Sequence, residues 1–474
     1  NRDDDRNGYL DDIHGIDTIG DTGNPTPPAD EDHGTHVAGI IGAAANNGVA
    51  GAGVAWRVQM MHLRFLGRGE EGRGLSSDAI ECINYAIEHG ADVINASYGS
   101  DSGSSIVTAA IRRARDADII FVAAAGNDGE DLDISSAFPA NYLIDNIVSV
   151  ANSTRLGDLS TTSNYGSGIV DLAAPGSNIL SLSASGNNAT LLASGTSMAA
   201  PMVTGAVALL RAQYPADNYR DIINRLLRGT RKVTAFSGQV QTGGQLDVAA
   251  ALQMSDTRPF NDDFDGRAVL DGEIVRVRNS TWNATPQAGE PAHAGRLSRS
   301  IWFTWISPTG GEVQIDSRDS IGDTTLSVYT GVSVNNLSLV AENDNESSGF
   351  LTSKVIFEAT AGTPYHIALD SSSPGLAVLN LAASAANDQF DSALPLTGDA
   401  PLITTTNIEA TREPGEPSHG GGALGRSLWY QWTAPTDQKV QVSAYSPQVH
   451  PVLAVYTGSS VNSLNLIGQS RLSG

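Results

Sequence analysis

Residues 194–201 read Ser-Gly-Thr-Ser-Met-Ala-Ala-Pro, and an apolar run follows at 202–210. Small residues that lead into an apolar stretch predict a flexible approach to the first turn of a buried helix. Ser197 lies in that turn, where backbone N–H groups and the positive end of the helix dipole favour developing negative charge. Ser197 is therefore either a nucleophile that needs a neighbouring base or a serine that only caps the helix.

A histidine that could be this base lies upstream, in Asp32-His33-Gly34-Thr35-His36. The small and apolar residues from Val37 onward predict a helix with His33 at its N-terminal end. A histidine in that place can take the proton of a serine hydroxyl near neutral pH. Because one base is enough, we interpret His36 as structural.

A third polar residue follows a predicted strand. The run 119–122 is β-prone and leads into Gly126-Asn127-Asp128-Gly129. An asparagine at the carboxyl end of a strand could direct its amide N–H at an oxyanion. Spacing alone favours an ordinary asparagine turn for Asn127.

Together these segments resemble the subtilisin-like serine peptidases, or subtilases, over roughly residues 1–253. The resemblance implies that His33 is the base, Ser197 the nucleophile and Asn127 the oxyanion donor. It also implies that Asn95-Ala96-Ser97-Tyr98-Gly99 forms the edge that pairs with the substrate backbone. The predicted substrate-binding residues are Ser97, Tyr98, Gly99, Ala124, Gly126 and Ala137.

The acidic partner of the histidine is the missing member of this set. In subtilases the order along the chain is Asp, His, Ser, and the Asp ends an apolar strand before Ser/Thr-Gly. Asp21-Thr22-Gly23 has the right string, but it lies too close to His33, and residues 17–20 do not read as a buried strand. We therefore expect the triad Asp to precede Asn1. We also expect the present chain to be poorly active, since losing that Asp costs about 10⁴ in turnover.

The composition argues against several kinds of partner. A net charge of −24 disfavours nucleic acid and anionic membranes, and no apolar stretch reaches the length of a membrane span. The single cysteine, Cys82, rules out internal disulfides and lies on a predicted amphipathic helix, where we interpret it as a small core residue. We expect a secreted monomer that acts on proteins or peptides.

Residues 3–12 predict a structural calcium site. Oxygen-bearing side chains at positions 3, 5 and 7, a glycine at 8 and a backbone carbonyl at 9 follow the first half of a calcium-loop spacing. His14 stands at the twelfth position in place of Glu, so the loop is not a complete EF-hand, although some subtilases carry a similar acidic insertion. The alternative is a solvated acidic loop. The predicted ligands are Asp3, Asp5, Asn7, Tyr9 and Asp12.

Strand-like and helical stretches alternate through residue 252, which predicts an α/β fold with a mostly parallel sheet flanked by helices. Ligands in such folds bind at the carboxyl ends of strands, where Ser97 and Asn127 both fall. The predicted strands are 58–63, 92–96, 119–124, 147–151 and 170–173, and the predicted helices include 36–45, 77–89, 105–116 and 219–227.

After residue 255 the sequence is rich in Thr, Ser, Val and Gly and contains an internal repeat. Gly289-Glu-Pro-Ala-His293 recurs 126 residues later as Gly415-Glu-Pro-Ser-His419. Each copy resembles the β-sandwich modules appended to secreted bacterial peptidases, such as pre-peptidase C-terminal domains. We predict a subtilase domain at 1–255 and all-β sandwich repeats at 256–383 and 384–474, the second of them cut short.

Two features of the repeats leave alternatives open. The tryptophan pairs Trp302/Trp305 and Trp429/Trp432 are interpreted as core residues of strands, with a sugar-stacking platform as the alternative. His293 and His419 are interpreted as turn residues, with a metal or another ligand as the alternative.

The leading interpretation is a secreted serine endopeptidase. Its rival is a binding or adhesion protein whose subtilase-like domain is inactive, which a substituted triad Asp would indicate. A lipase or esterase would need Gly-x-Ser-x-Gly, and the segment around Ser197 lacks the second glycine. No acidic residue stands at Ser136-Ala137 near the expected pocket floor, so we expect cleavage after a medium or large apolar residue and not after Arg or Lys.

Overall fold

The computed structural model describes residues 3, 5–28, 30–49, 51–67, 74–347, 349–383, 387–398, 401, 403, 407, 410, 412–413, 415–419, 427–437, 439–444 and 451–470. The chain divides into two compact units. The first holds residues 1–306, 316–355 and 364–380, and the second holds 307–315, 356–363 and 381–474. The first unit therefore contains the region through residue 255 and most of the first repeat.

The described α-helices all belong to the first unit, and their burial follows their sequence patterns. Between Thr196 and Val207 of α4, most side chains are small or apolar and are buried, as in a helix enclosed by a core. None of the described helices is both long and apolar enough to cross a bilayer. The helices are α1 (Asp32–Gly42), α2 (Ser76–Glu88), α3 (Ser105–Asp116), α4 (Thr196–Gln213), α5 (Tyr219–Arg228) and α6 (Val248–Gln253).

Two small sheets and one large sheet accompany these helices. The small sheets are a parallel pair, β1 (Gly15–Asp17) with β2 (His62–Arg64), and an antiparallel hairpin described below with its strands. The large sheet has the order β3–β4–β5–β6–β10–β9, and its first four strands run parallel, so their carboxyl ends meet at one edge. Its strands and the hairpin strands are β3 (Val93–Ala96), β4 (Ile120–Ala124), β5 (Ile147–Ser153), β6 (Leu172–Pro175), β7 (Ile179–Leu182), β8 (Thr190–Ala193), β9 (Arg231–Lys232) and β10 (Gly244–Gln245).

Most of the expected elements are present, with shifted ends. The helix expected at 36–45 spans Asp32–Gly42. Its polar first residues carry no apolar periodicity, so the sequence pattern did not show where the helix begins. The strand expected at 58–63 is the three-residue β2, and its partner β1 was not expected. Three residues are too few to show a period in sequence.

The remaining strands follow residue 255. In the first unit, five of them form a sheet of order β11–β13–β18–β15–β16, and β12 and β19 are neighbours in another sheet. In the second unit, β20 pairs with β21 and β22 with β23. The strands are β11 (Ala268–Leu270), β12 (Ile274–Ser280), β13 (Ile301–Ile306), β14 (Gly311–Asp316), β15 (Thr324–Gly331), β16 (Leu337–Asn343), β17 (Lys354–Ala359), β18 (Pro364–Ser371), β19 (Leu376–Ala383), β20 (Leu394–Leu396), β21 (Tyr430–Trp432), β22 (Ala454–Thr457) and β23 (Asn465–Gln469).

The tryptophans of the first repeat are core residues on both faces of β13. Trp302 and Trp305 have no exposed surface. Trp302 packs against Phe264 and Tyr329, whereas Trp305 packs against Tyr365. Residues three apart on a strand point to opposite faces, so both faces of β13 are covered. A sugar-stacking platform at these two rings is therefore wrong, because neither ring face is open.

The Gly-Glu-Pro-x-His segments build the same side-chain network in both repeats. His293 is fully buried, with Nε2 2.9 Å from Glu290 Oε1 and Nδ1 3.0 Å from the Tyr329 hydroxyl. The chain turns directly after it, at Ala294, whose φ is 48°. Both ring nitrogens thus have protein partners at a turn, as the turn interpretation expects. The equivalent residues in the second repeat are His419, Glu416 and Tyr456.

One side chain of the first repeat is buried against the region that precedes residue 255. Arg278 on β12 is 2% exposed, and its Nη2 lies 2.8 Å from Asp171 Oδ2, on a carboxylate that is itself buried. Burial raises the pKa of the Asp171 carboxyl, and the neighbouring guanidinium opposes that rise. Two charges removed from water in this way each depend on the other.

Removing the guanidinium should therefore be costly. We expect Arg278→Met to lower the free energy of unfolding by about 3–5 kcal/mol, because it leaves Asp171 buried without a counter-charge. Arg276 is a matched control on the same strand: it pairs with Asp319 at the surface, where such pairs contribute at most about 1 kcal/mol. Urea unfolding of both variants tests this, and equal effects of the two substitutions would contradict it.

Candidate functional site

Ser197 is the second residue of α4, and its backbone carbonyl is free because of the proline four residues later. In a helix that carbonyl would accept the N–H of residue 201, which is Pro201 and has none. The Ser97 hydroxyl donates to it instead, at 2.9 Å, and the Ser197 hydroxyl donates in return to the Ser97 carbonyl at 3.3 Å. The end of β3 is thereby tied to the first turn of α4.

A chain of polar side chains supports this tie from within the core. The Thr204 hydroxyl donates to Asn95 Oδ1 at 2.8 Å, and Asn95 Nδ2 donates to the Ser97 hydroxyl at 2.9 Å. Asn95 and Thr204 were not predicted as functional residues. Thr204 is a polar residue inside the apolar run of α4. Because buried hydroxyls need hydrogen-bond partners, the sequence could have predicted a polar contact at this position.

Asn127 lies directly in front of the same helix turn. Its Oδ1 accepts the Thr196 backbone N–H at 2.9 Å. A backbone N–H can only donate, so this contact fixes which side of the amide carries oxygen. The Nδ2 group is left on the exposed side and has no protein partner among the described residues. Asn127 thus presents a free N–H donor next to the first turn of α4.

Gly195 allows the asparagine to come this close. Its φ is 146°, and a Cβ on it would lie 3.2 Å from Asn127 Oδ1. A side chain at residue 195 would therefore be strained by its backbone and would crowd the asparagine amide.

The helix that carries His33, α1, packs against the helix that carries Ser197, α4. One turn after His33 on the same face of α1, Val37 packs in a small apolar cluster with Met198, the residue after the serine. No hydrogen bond joins the side chains of His33 and Ser197 in the described structure. Desolvation, with a smaller contribution from His36, lowers the pKa of His33 below its usual value of 6.5. The ring is therefore neutral near pH 7 and can accept a proton.

His36 has the structural role that was expected. It is buried, and its Nε2 lies 3.1 Å from the Ile179 carbonyl and 3.0 Å from the Leu191 carbonyl. Carbonyls only accept, so Nε2 carries the proton and joins α1 to the β7–β8 hairpin.

The carboxylates near His33 in sequence are engaged elsewhere. Asp32 accepts hydrogen bonds from the Ser183 hydroxyl and the Ala184 N–H, both at 2.6 Å. Asp21 is exposed in a turn with a φ of 54°. Within the described part of the chain, no carboxylate is bonded to the imidazole of His33.

A large groove opens between β2 and β3. Its volume is about 2340 Å³, and residues of α1, α2, β2 and β3 line it, including His33 and Cys82. β2 and β3 are each terminal in their sheets, so each turns an unpaired edge outward. The groove therefore has hydrogen-bonding edges on two sides and His33 on its wall.

The predicted substrate-binding residues lie at the carboxyl ends of β3 and β4. After Ser97, Tyr98 and Gly99, the backbone of Ser100 pairs with Phe138 through bonds of 2.8 and 2.9 Å. Gly126 follows Ala124 at the end of β4, and a Cβ on it would lie 3.7 Å from the Cβ of Ala137. The three segments 97–100, 124–126 and 137–138 thus border one space in front of α4.

Four of the predicted calcium ligands converge. Asn7 donates to Asp3, Asp5 and Asp12 at 2.7 to 3.1 Å. The predicted ligand atom of Tyr9 is its backbone carbonyl; its ring is buried and its hydroxyl donates to Glu81 at 2.7 Å. His89 was not predicted, yet its Nε2 lies 2.9 Å from Asp5 Oδ2. The donor atoms of Asp5, Asp12 and His89 all lie within 4.8 Å of one another.

Comparison with known proteins identifies the family of the chain. A model of the subtilase family matches residues 4–250. Subtilisin-like protease 1 of Plasmodium vivax is 32% identical over 270 residues, which cover 53% of this chain and 42% of that protein. The thermophilic serine proteinase of Bacillus sp. (strain AK1) is 40% identical over 192 residues, covering 40% of this chain and 45% of that protein. A solved structure of proteases from Pseudoalteromonas arctica PAMC 21717 shares 35% identity over 47% of this chain and 70% of that chain, with a TM-score of 0.41.

The chain belongs to the subtilase family, since the family match spans more than half of its 474 residues. It has the family's helices and sheets, followed by many further strands. The matches span less than half of either curated relative.

The Thr204–Asn95 contact can be tested by a conservative pair of substitutions. Thr204→Val removes the hydroxyl at nearly constant volume and leaves Asn95 Oδ1 without its donor, which should cost about 1–3 kcal/mol of stability. Thr204→Ser keeps the donor and should cost less. Urea unfolding measures both, and a larger loss for the serine variant would mean that the methyl group, and not the hydrogen bond, matters.

Proposed function

We propose that this chain carries the nucleophile and base of a secreted serine endopeptidase. In this proposal Ser197 attacks the peptide carbonyl, His33 takes its proton, and Asn127 Nδ2 stabilises the oxyanion. The observation that carries the proposal is the fixed amide of Asn127: its Oδ1 binds the helix turn that holds Ser197, and its Nδ2 is left without a protein partner among the described residues. Subtilisin-like proteases are commonly secreted, which supports the compartment.

The chemistry follows the acyl-transfer scheme. As the Ser197 oxygen bonds to the carbonyl carbon, the hydroxyl proton passes to neutral His33, and negative charge develops on the carbonyl oxygen. The Asn127 amide and the N-terminal turn of α4 then lower the energy of that charge. The protonated histidine returns its proton to the leaving amine, and water repeats the sequence on the acyl-enzyme.

We propose that the carboxylate partner of His33 comes from a strand that is not among these 474 residues and that fills the groove between β2 and β3. Both groove edges are unpaired, and His33 lines the wall. A strand in that place completes the sheet and passes beside the imidazole. The chain without it is expected to turn over about 10⁴-fold more slowly.

The substrate and the appended modules complete the proposal. The residues at positions 126 and 137 are small, which supports a pocket for a medium or large apolar side chain before the scissile bond. Dominant cleavage after Arg in a peptide library would contradict the proposed pocket.

We further propose that the sheets after residue 255 pack as β-sandwich repeats that attach the monomeric enzyme to a substrate or surface.

Labelling with a fluorophosphonate tests the nucleophile, since such a probe reacts with an activated serine. We expect the wild-type chain to be labelled slowly and Ser197→Ala not at all. Equal labelling of wild type and Ser197→Ala would refute the proposal, and a complete absence of labelling would favour an inactive domain in a binding or adhesion protein.

Asn127→Ala should reduce peptide hydrolysis by about 10²–10³-fold, the range reported for the oxyanion donor of subtilisin itself.

The pH dependence of labelling tests His33. Only the neutral ring accepts a proton, so the labelling rate falls as pH drops through the pKa of His33. That pKa is lowered, so half-maximal labelling should occur below pH 6.5. A strand that brings a carboxylate beside the ring would favour the imidazolium and move the midpoint upward. A midpoint that stays the same in His33→Ala would exclude this histidine as the titrating group.

We also propose a structural calcium ion at Asp3, Asp5, Asn7, Asp12 and the backbone carbonyl of Tyr9, because hard oxygen ligands suit calcium. Calcium at a hundred times its Kd should stabilise the folded state by about 2.7 kcal/mol and so raise the thermal midpoint of unfolding. Asp12→Asn should abolish the shift, whereas Asp265→Asn, at an exposed carboxylate elsewhere, should keep it. An unchanged calcium effect in Asp12→Asn would place the ion elsewhere.

A further inference from the structure

Arg278 reaches beyond its ion pair with Asp171. Its Nη1 donates to the carbonyls of Ala140 and Tyr142, at 2.7 and 3.0 Å. Its Nη2 donates to the Ser149 hydroxyl at 3.1 Å, in addition to Asp171. One buried guanidinium from the first repeat thus holds two backbone carbonyls of the segment 137–142.

The backbone of β12 is seated directly on the subtilase region, so the guanidinium enters from a fixed position. The Arg278 N–H donates to the Gly168 carbonyl at 3.0 Å, and its own carbonyl accepts from Gln241 Nε2 at 2.6 Å. A Cβ on Gly168 would lie 2.3 Å from the Arg276 carbonyl oxygen. The two backbones therefore touch where any side chain at residue 168 would keep them apart.

The segment held by Arg278 also borders the proposed substrate site. Phe138 pairs with Ser100, which follows the edge expected to bind the substrate backbone. The Ala137 side chain lies beside Gly126 at the end of β4, where a Cβ would be 3.7 Å from it. Tyr142 accepts the Ser104 N–H on its hydroxyl at 2.8 Å. The segment thus has substrate-facing residues at one end and the Arg278 contacts at the other.

We propose that the first β-repeat is a working part of the substrate pocket and that Arg278 is the positioning residue through which it holds the segment 137–142. The inference rests on the proposed peptidase function. The fork geometry of arginine suits this role, because it reaches a carboxylate and two carbonyls at once. A misplacement of about 1 Å caused by a residue far from the chemistry can cost about 10²-fold in rate.

The test uses the full chain with the double variant Arg278→Met/Asp171→Asn, which removes both buried charges together. Arg278→Lys keeps the charge but lacks the planar fork that spans both carbonyls and the Asp171 carboxylate. This variant provides a second test if the double variant does not fold. Arg276→Met is the control on the same strand. The measurements are kcat and KM on a peptide library, fluorophosphonate labelling of Ser197, and amide hydrogen exchange of residues 137–142.

For both Arg278 variants we expect KM for apolar peptides to rise about 10-fold and selectivity among them to narrow. Labelling of Ser197 should stay near the wild-type rate, because the nucleophile and helix turn are untouched. Exchange at 137–142 should accelerate, and Arg276→Met should match the wild type in every measurement.

A folded Arg278 variant with wild-type KM, selectivity and exchange would overturn the proposal. Failure of the wild type to cleave or to be labelled would instead count against the peptidase function. Hydrogen exchange would then still decide whether Arg278 holds the segment.

Discussion

The burial of the N-terminal half of α4 is the constraint on which the site depends. A helix enclosed by other elements cannot shift along its axis without breaking several contacts, so its first turn has one position. Pro201 adds a local condition, because it frees the Ser197 carbonyl for a partner outside the helix. Ser97 takes that place, and Asn127 binds the N–H of Thr196 beside it. Residues from three distant parts of the chain are thus joined through one helix turn.

The sequence predicted the features that depend on residues close together in the chain. The expected helix at 105–116 has those same bounds in the structure, because its amphipathic pattern and its Ser104 cap are both visible in sequence. Ser197, His33 and Asn127 could be named because short motifs carry them, and the structure places Asn127 against the first turn of α4, which holds Ser197. Asn95 and Thr204 escaped notice, since their roles come from a contact between residues more than a hundred positions apart.

Arg276 and Arg278 show most clearly what a sequence pattern cannot settle. They stand two residues apart on β12, on the same face, and a period of two predicts the same environment for both. Arg276 nevertheless pairs with a surface carboxylate, whereas Arg278 is enclosed with Asp171. The difference comes from the segment that packs against the strand, near Gly168 and Asp171. That packing involves residues far apart in the chain, so the alternation of side chains along β12 does not reveal it.

The orientation of the Asn127 amide has a consequence for the chemical ageing of the protein. Hydrolysis of this amide to a carboxylate would preserve the oxygen that accepts the Thr196 N–H, so the hydrogen bond at the start of α4 would remain. The outward donor would become a negatively charged oxygen, on the side where the proposed mechanism places the oxyanion. A molecule deamidated to aspartate would therefore keep its hydrogen bond to Thr196, while its site would repel the proposed reaction intermediate.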